Sequence, residues 1–279
     1  MSLLLRNPAF VRLGILVDSA PAGVWLALLA AALWPTAWWM GQRMIDGSDE
    51  PLGLLALSAL ALLVWHCRSR LRAAPRLGWL ALALAGAVAS TLALSQVPPL
   101  LSALPGLLAL GAGLAAFLPA GIASAPVLGL SLLSLPLLAS LQFYAGYPLR
   151  LITAEASRWL LAPGFDVERS GATLRVDGQL VIVDAPCSGV QMLWLGYFTA
   201  CVVALYCGRR NAGFLARLPL VSLLVLAGNV GRNSLLVALE AGGGHVAGWV
   251  HEAIGLLVLA AVCAAIARVM FEPRGARHV

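Results

Sequence analysis

Residues 77–97 have the sequence LGWLALALAGAVASTLALSQV, which contains no Asp, Glu, Lys or Arg. A helix crosses the roughly 30 Å hydrocarbon core of a bilayer with about 20 mostly apolar residues. The segment therefore has the length and composition of a membrane span. Comparable segments recur along the chain and predict about eight transmembrane helices, near residues 22–40, 51–67, 77–97, 100–118, 121–145, 187–207, 218–240 and 251–270.

The composition places the whole chain in the membrane class. Its 279 residues are 61% hydrophobic and 11% charged, whereas about 25% of the residues in a soluble domain are charged. So few charges cannot cover a water-exposed surface, and the lipid bilayer is therefore the partner of most of the chain. We find no internal repeat or low-complexity tract, and we predict an all-α polytopic protein with one integral membrane domain, residues 1–279.

The positive charge of the chain comes from arginine alone. The 18 arginines occur in short clusters between apolar segments, and there is no lysine. This pattern is typical of topology determinants that face the cytoplasm, and it argues against nucleic-acid binding. An orientation with the N-terminus inside places 12 arginines inside and 5 outside, with Arg232 left within a span.

Residues 148–186 form the longest polar interval and lie outside in this orientation. We predict that Pro148 opens a short helix, LRLITAEASRWLL, which lies in the interface plane. The sequence TLRV-DG-QLVIV predicts a β-hairpin, because Asp177-Gly178 suits a two-residue type I′ turn between β-branched runs. This small extracytoplasmic cap of helix and hairpin leads into residues 187–270, whose helices carry the candidate catalytic residues.

An ionisable residue inside a predicted span is a candidate functional residue. Arg232 lies eight residues before Glu240, the predicted external end of its span, and thus about 12 Å below that end at ~1.5 Å per residue. Asn229 precedes Arg232 by three residues on the same helical face and could orient the guanidinium by a hydrogen bond.

Cys187 lies where the hairpin ends and an apolar helix begins, in VDAPCSGVQMLWL. A helix N-terminus favours a thiolate over a thiol, because its unpaired N–H groups and its dipole attract negative charge. Ser188 and Gly189 are small and would let a substrate backbone approach. The remaining cysteines lie within or at the ends of apolar runs or within predicted spans and are predicted to be packing residues: Cys67, Cys201, Cys207 and Cys263.

His251 begins the last predicted span, at the same external face as Cys187. A helix N-terminus disfavours the imidazolium, so the ring tends to stay neutral and can accept a proton. The sequence HEAIG lacks the second histidine of a HExxH zinc site, and the cysteines have no metal-ligand spacing. We therefore predict neither a metal nor another cofactor.

Three separate helices thus bring a thiol, a base and a cation toward one side of the membrane. Acyl transfer needs these parts: His251 would deprotonate Cys187, and Arg232 would stabilise the oxyanion formed on a peptide carbonyl. Two alternatives stay open. One is a non-catalytic membrane module, such as a small transporter or an assembly factor for exopolysaccharide or cell-surface machinery. The other is a serine protease with Ser188 or Ser234 as nucleophile.

At these residues the sequence resembles the exosortase/archaeosortase family. The resemblance is carried by YAGYPLRLITAEASRWLL, the hairpin, APCSGV with Cys187, NVGR with Asn229 and Arg232, and WVHEAIG with His251 and Gly255. These motifs follow in the family's order and spacing over about the last 140 residues, whereas the first 120 match only as generic membrane spans.

The resemblance implies a membrane-embedded cysteine peptidase or transpeptidase that cleaves exported proteins through a thioester acyl-enzyme. Its substrates carry a C-terminal sorting signal, for example of the PEP-CTERM type, with a short motif, one transmembrane helix and an Arg-rich tail. Location in the bacterial inner membrane, with a periplasmic active site, is implied as well. The catalytic residues would be Cys187, Arg232 and His251, supported by Asn229, Ser188 and Gly189.

Overall fold

The computed structural model describes residues 20–182, 188–242 and 247–271. These residues are mostly helical and belong to two compact units. Unit 1 comprises the described parts of Met1–Asp46 and Leu52–Leu135, and unit 2 those of Gly47–Pro51 and Pro136–Val279. Arg232 and His251 both belong to unit 2.

Unit 1 is a group of helices packed around α5. Its described elements are α1 (Ala22–Ala32), α2 (Trp34–Ile45), α3 (Gly53–Cys67), a 3₁₀ turn (Arg68–Arg70), α4 (Leu77–Ala93), α5 (Pro99–Phe117) and α6 (Ser124–Leu133). A Cβ added to Gly86 of α4 would lie 2.9 Å from the carbonyl oxygen of Pro105 in α5. Such close approach through small residues is typical of helices in membranes.

A sharp bend separates α1 from α2 at Leu33, where the helix direction changes by 64°. Pro35 lies in the first turn of α2 and has no N–H to donate to the preceding turn. The predicted span at residues 22–40 is therefore two short helices joined at an angle.

Unit 2 combines a long helix, a small sheet and the helices of the candidate site. Its described elements are α7 (Leu138–Leu161), β1 (Val167–Ser170), β2 (Thr173–Val176), β3 (Gln179–Ile182), α8 (Val190–Cys207), α9 (Asn211–Leu215), α10 (Leu218–Ala241) and α11 (Gly248–Met270). Glycines bring the last long helices together. A Cβ on Gly196 of α8 would lie 2.6 Å from Val225 of α10, and one on Gly228 of α10 would overlap Val262 of α11.

The three strands form an antiparallel sheet in the order β1-β2-β3. β2 and β3 are the predicted hairpin, and both turn residues have positive φ angles, 48° at Asp177 and 85° at Gly178. β1 was not predicted. The sheet packs against α7 and α10 through a buried cluster of Ala154, Leu161, Leu174, Val176 and Val237.

The predicted helix start at Pro148 is wrong. Pro148 lies inside α7, which runs from Leu138 to Leu161. A proline inside a helix removes one donor and costs about 3 kcal/mol. However, the buried residues Gly146, Thr153 and Ser157 lie on one face of α7 on both sides of the proline. Packing of this face holds the two halves in one helix.

Among the described residues, four helical segments are long and apolar enough to cross a membrane, or up to six if each of two bent pairs is one span. The four are Pro99–Phe117, Val190–Cys207, Asn211–Ala241 and Gly248–Met270. In contrast, α3 and α4 have 15 and 17 residues, fewer than the ~20 that a typical crossing needs. The chain is thus a multi-pass membrane protein, and the predicted count of eight spans is not confirmed.

Arg209, one of the 12 arginines that the predicted orientation places inside, caps the end of α11. Its side chain is buried, and its guanidinium donates hydrogen bonds to the carbonyl oxygens of Met270 (2.9 Å) and Phe271 (3.1 Å). Carbonyls at a helix C-terminus lack partners within the helix, and a cation there interacts favourably with the helix dipole. Arg209 therefore fixes the far end of the helix that begins near His251.

Candidate active site

Arg232 of α10 and His251 of α11 are in direct contact. The distance between Arg232 Nη2 and His251 Nε2 is 3.1 Å. A guanidinium has N–H donors and no acceptor, so Arg232 donates this hydrogen bond and His251 Nε2 accepts it. The structure thus brings together two of the three predicted catalytic residues.

Gly255 makes room for the guanidinium. It lies one helical turn after His251, and a Cβ added to it would lie 3.3 Å from Arg232 Nε and 3.6 Å from Cζ. Residues four apart on a helix share a face. The HxxxG motif therefore presents a hydrogen-bond acceptor and a gap to the same arginine.

A cavity of about 500 Å³ contains this pair. It lies between α8, α10 and α11, and Gly189, directly before α8, also lines it. The beginning of α11 contributes the polar side chains of His251 and Glu252, whereas Leu256 and Leu259 line the cavity one to two turns further along. The cavity therefore has a polar part near the helix beginnings and an apolar part deeper along α11.

Cys187 lies outside the described residues, which resume at Ser188. Helix α8 begins at Val190, three residues later than predicted. Ser188 is buried, and its hydroxyl donates a hydrogen bond of 2.7 Å to Gln142 Oε1 of α7. Gly189 has a φ of +81°, and a Cβ added to it would lie 2.8 Å from Asn229 Cγ. Both the backbone angle and the close contact require glycine here.

Asn229, which we predicted to orient Arg232, links α10 to α7. Its amide nitrogen donates a hydrogen bond of 3.1 Å to the hydroxyl of Thr153. Both residues are buried. The Asn229 side chain also lies against Gly189, so one asparagine contacts both α7 and the residue that directly precedes α8.

Residues 38–268 match the family model of the transmembrane exosortases (Exosortase_EpsH). The chain belongs to the exosortase family. No curated protein and no solved structure matches it. The match spans most of the chain, and so it extends to the membrane helices before the motifs that carried the resemblance.

In this exosortase an acidic loop from the first half of the chain belongs to the unit of the site. Glu50 Oε2 accepts a hydrogen bond of 2.9 Å from Gln191 Nε2, and Gln191 lines the cavity. Asp49 Oδ1 accepts a bond of 3.4 Å from the backbone N–H of Ala139, in the first turn of α7. These two contacts were not predicted from the sequence.

Gln142 and Thr153 were also missed. They lie 11 residues apart, which is close to three helical turns, so they share one face of α7. A row of small and polar residues, Gln142, Gly146, Thr153 and Ser157, was visible in the sequence at helical spacing. We overlooked it because the assumed helix start at Pro148 divided this row between two elements.

The remaining thiols and the alternative serine nucleophiles are not among the described residues that line the cavity. Cys67, Cys201 and Cys207 are buried, and Cys263 is half-buried and accepts a hydrogen bond from Thr199. Ser234 is buried as well. Of the described residues that line the cavity, none is a cysteine or a serine.

Proposed function

We propose that this exosortase is a membrane-embedded cysteine peptidase or transpeptidase that cleaves C-terminal sorting signals from exported proteins. The observation that carries the proposal is the contact between Arg232 and His251 in a cavity lined by Gly189. Gly189 is two residues after Cys187 in the chain. A base, a cation and the segment that follows a thiol thus belong to one cavity.

The chemistry would run through Cys187. Its thiol loses a proton to His251, and the thiolate attacks the carbonyl carbon of the scissile peptide bond. Arg232 donates hydrogen bonds to the oxyanion of the tetrahedral intermediate. Collapse of the intermediate breaks the C–N bond, and the imidazolium returns its proton to the leaving amine. Water or an acceptor amine then attacks the thioester and regenerates the thiol.

The contact between Arg232 and His251 gives these steps an order. In the structure the lone pair of Nε2 is taken by an N–H of Arg232. When a substrate binds, its carbonyl oxygen is a further acceptor that competes with Nε2 for the same guanidinium donor. Movement of Arg232 toward the oxyanion frees Nε2 to accept the thiol proton. The binding of the substrate and the activation of the base would therefore be coupled.

The two parts of the cavity suit a substrate with a polar motif followed by a membrane helix. The motif would bind near His251 and Glu252, where the scissile carbonyl meets Arg232. The apolar residues that follow would extend past Leu256 and Leu259 toward the lipid. Such a substrate is the tripartite tail that the family resemblance implies.

The proposal places the cavity at the extracytoplasmic face of the bacterial inner membrane. The arginine distribution supports this orientation. Arg209, predicted to lie inside, caps the end of α11 opposite to His251. The sheet and the beginnings of α8 and α11 would then lie outside, as an extracytoplasmic cap with the site.

Co-production of the chain with exported reporters tests this function. The reporters carry a panel of tails that differ in the short motif, and matched controls keep the transmembrane helix and the Arg-rich end but lack the motif. We expect at least one tail to be removed, with the new C-terminus located by mass spectrometry at the motif. If every tailed reporter stays full-length beside abundant membrane-inserted protein, a non-catalytic module is the better account.

A further inference from the structure

We propose that α7 positions the nucleophile, and that Gln142 and Thr153 are its positioning residues. The inference rests on the proposed function, because it takes Cys187 as the nucleophile. It assigns to two residues of α7 the task of fixing the chain directly after Cys187.

The first attachment is direct. Ser188 follows Cys187 in the chain, and its hydroxyl donates a hydrogen bond of 2.7 Å to Gln142 Oε1. The same hydroxyl oxygen accepts a bond of 3.3 Å from the backbone N–H of Val190. Gly146 allows the Gln142 side chain to lie along α7, because a Cβ there would be 2.9 Å from Gln142 Nε2. Ser188 is therefore held at its side chain and at the first residue of α8.

The second attachment passes through Asn229. The contact of Gly189 with Asn229 leaves no room for a side chain. Asn229 in turn donates to Thr153, which is 0% exposed. A buried polar group is costly without a hydrogen-bond partner, so the bond to Thr153 favours one position of the Asn229 amide. Gly189 packs against that amide.

The two attachments act on one short segment. Gln142 and Thr153 lie on the same face of α7 about 16 Å apart along its axis, at ~1.5 Å per residue. The segment that leads into α8 bonds directly to Gln142 and is linked to Thr153 through Asn229 of α10. Asn229 also lies one helical turn before Arg232 on α10. This face of α7 therefore fixes the position of the segment after Cys187 relative to α10, the helix that carries Arg232.

Such control of spacing matters for the reaction. A misplacement of about 1 Å between reacting groups can cost on the order of 10² in rate. Loss of either attachment should thus change the surroundings of the thiol without removing any group that touches the substrate.

The test uses the rate of alkylation of Cys187 as a function of pH, in the full chain in its membrane. The four other cysteines are replaced by alanine, and a small membrane-impermeant thiol reagent is the probe. This readout reports on the thiol itself and needs no substrate.

Thr153→Val keeps the shape of the side chain but removes the acceptor of Asn229, whereas Thr153→Ser keeps the hydroxyl and removes a buried methyl group. We expect at least a threefold change in the alkylation rate and a shifted pH profile for Thr153→Val, and values near the parent for Thr153→Ser. A role in packing alone predicts the opposite order. Thr91→Val is the control, because the Thr91 hydroxyl donates within its own helix, to the carbonyl oxygen of Ala87.

A double-mutant cycle tests the direct attachment. Gln142→Leu and Ser188→Ala both remove this hydrogen bond, and Ser188→Ala also removes the acceptor of the Val190 N–H. The double variant should therefore be no more altered than Ser188→Ala alone. Parent-like profiles for Thr153→Val and Gln142→Leu would overturn the proposal. Failure of the proposed function is a separate result, because a Cys187 that is dispensable for processing would still report its surroundings by alkylation.

Discussion

Gly255 faces the guanidinium of Arg232 across the contact between α10 and α11, and a methyl group at its Cα would lie 3.3 Å from Arg232 Nε. That distance is tighter than ordinary van der Waals contact. The position of the arginine beside His251 therefore depends on the absence of a side chain at residue 255.

This relationship predicts that Gly255→Ala displaces Arg232 and lowers the rate of substrate processing by about tenfold or more, by the same sensitivity of rate to misplacement. Gly231→Ala is the matched control, since a Cβ at Gly231 meets no atom within 4 Å. Both changes raise helix propensity by up to about 1 kcal/mol. Activity is measured as shortened reporter per amount of enzyme. Equal activity of the two variants would contradict the packing role of Gly255.

The pair Arg232 and His251 should act as a unit. Arg232→Lys keeps the charge but loses the planar fork of donors, and loss of one oxyanion donor costs on the order of 10²–10³ in rate. His251→Gln can still accept a bond from Arg232 but cannot serve as a base. We expect both variants to lose at least 10²-fold, and the double variant to lose little more than either. If the losses of the two single variants multiply in the double variant, measured by reporter processing, the two residues have independent roles.

Arg209→Gln should destabilise the fold more than it affects the chemistry. Hydrogen bonds from a charged donor contribute about 1.5–3 kcal/mol, and Arg209 donates to two carbonyls at the end of α11. Arg210 is the neighbouring exposed arginine, and Arg210→Gln is the control. Thermal unfolding in detergent should show a lower midpoint for Arg209→Gln alone. Equal midpoints would contradict the capping role.

The orientation is tested with two exposed serines. Ser170→Cys lies at the end of β1 and Ser69→Cys in the 3₁₀ turn after α3, in a chain without its five native cysteines. A membrane-impermeant thiol reagent applied to intact cells should label Ser170→Cys and spare Ser69→Cys. Labelling of Ser69→Cys alone would reverse the assigned topology.

Local rules with a strict physical basis were predictable from the sequence. Asp177-Gly178 gives the hairpin because a type I′ turn needs positive φ at both positions, and apolar length gives the helices that can cross a membrane. Arg232 and His251 were selected as candidate catalytic residues because ionisable groups in or at the end of an apolar span are rare. Their contact of 3.1 Å required the packing of α10 on α11.

The features that were missed depend on tertiary packing. Pro148 marks a helix start by local propensity, but the buried face of α7 overrides it. The bend at Leu33 has a local signal, Pro35, which we did not use. Arg209 has the same sequence context as Arg210, and only the fold shows that one caps α11 while the other is exposed. The acidic loop with Glu50 joins the site unit through a partner 141 residues away.

Replacement of the proposed nucleophile tests the cysteine mechanism directly. Cys187→Ala should abolish processing of a reporter that the parent chain cleaves, uncleaved reporter should accumulate, and the enzyme should stay at normal abundance in the membrane. Cys201→Ala, a buried thiol in α8, is the control and should process the reporter normally. The parent should also form a reporter adduct on Cys187 that hydroxylamine releases, as expected of a thioester. Near-normal processing by Cys187→Ala would contradict the cysteine mechanism and the assignment of this chain as a peptidase.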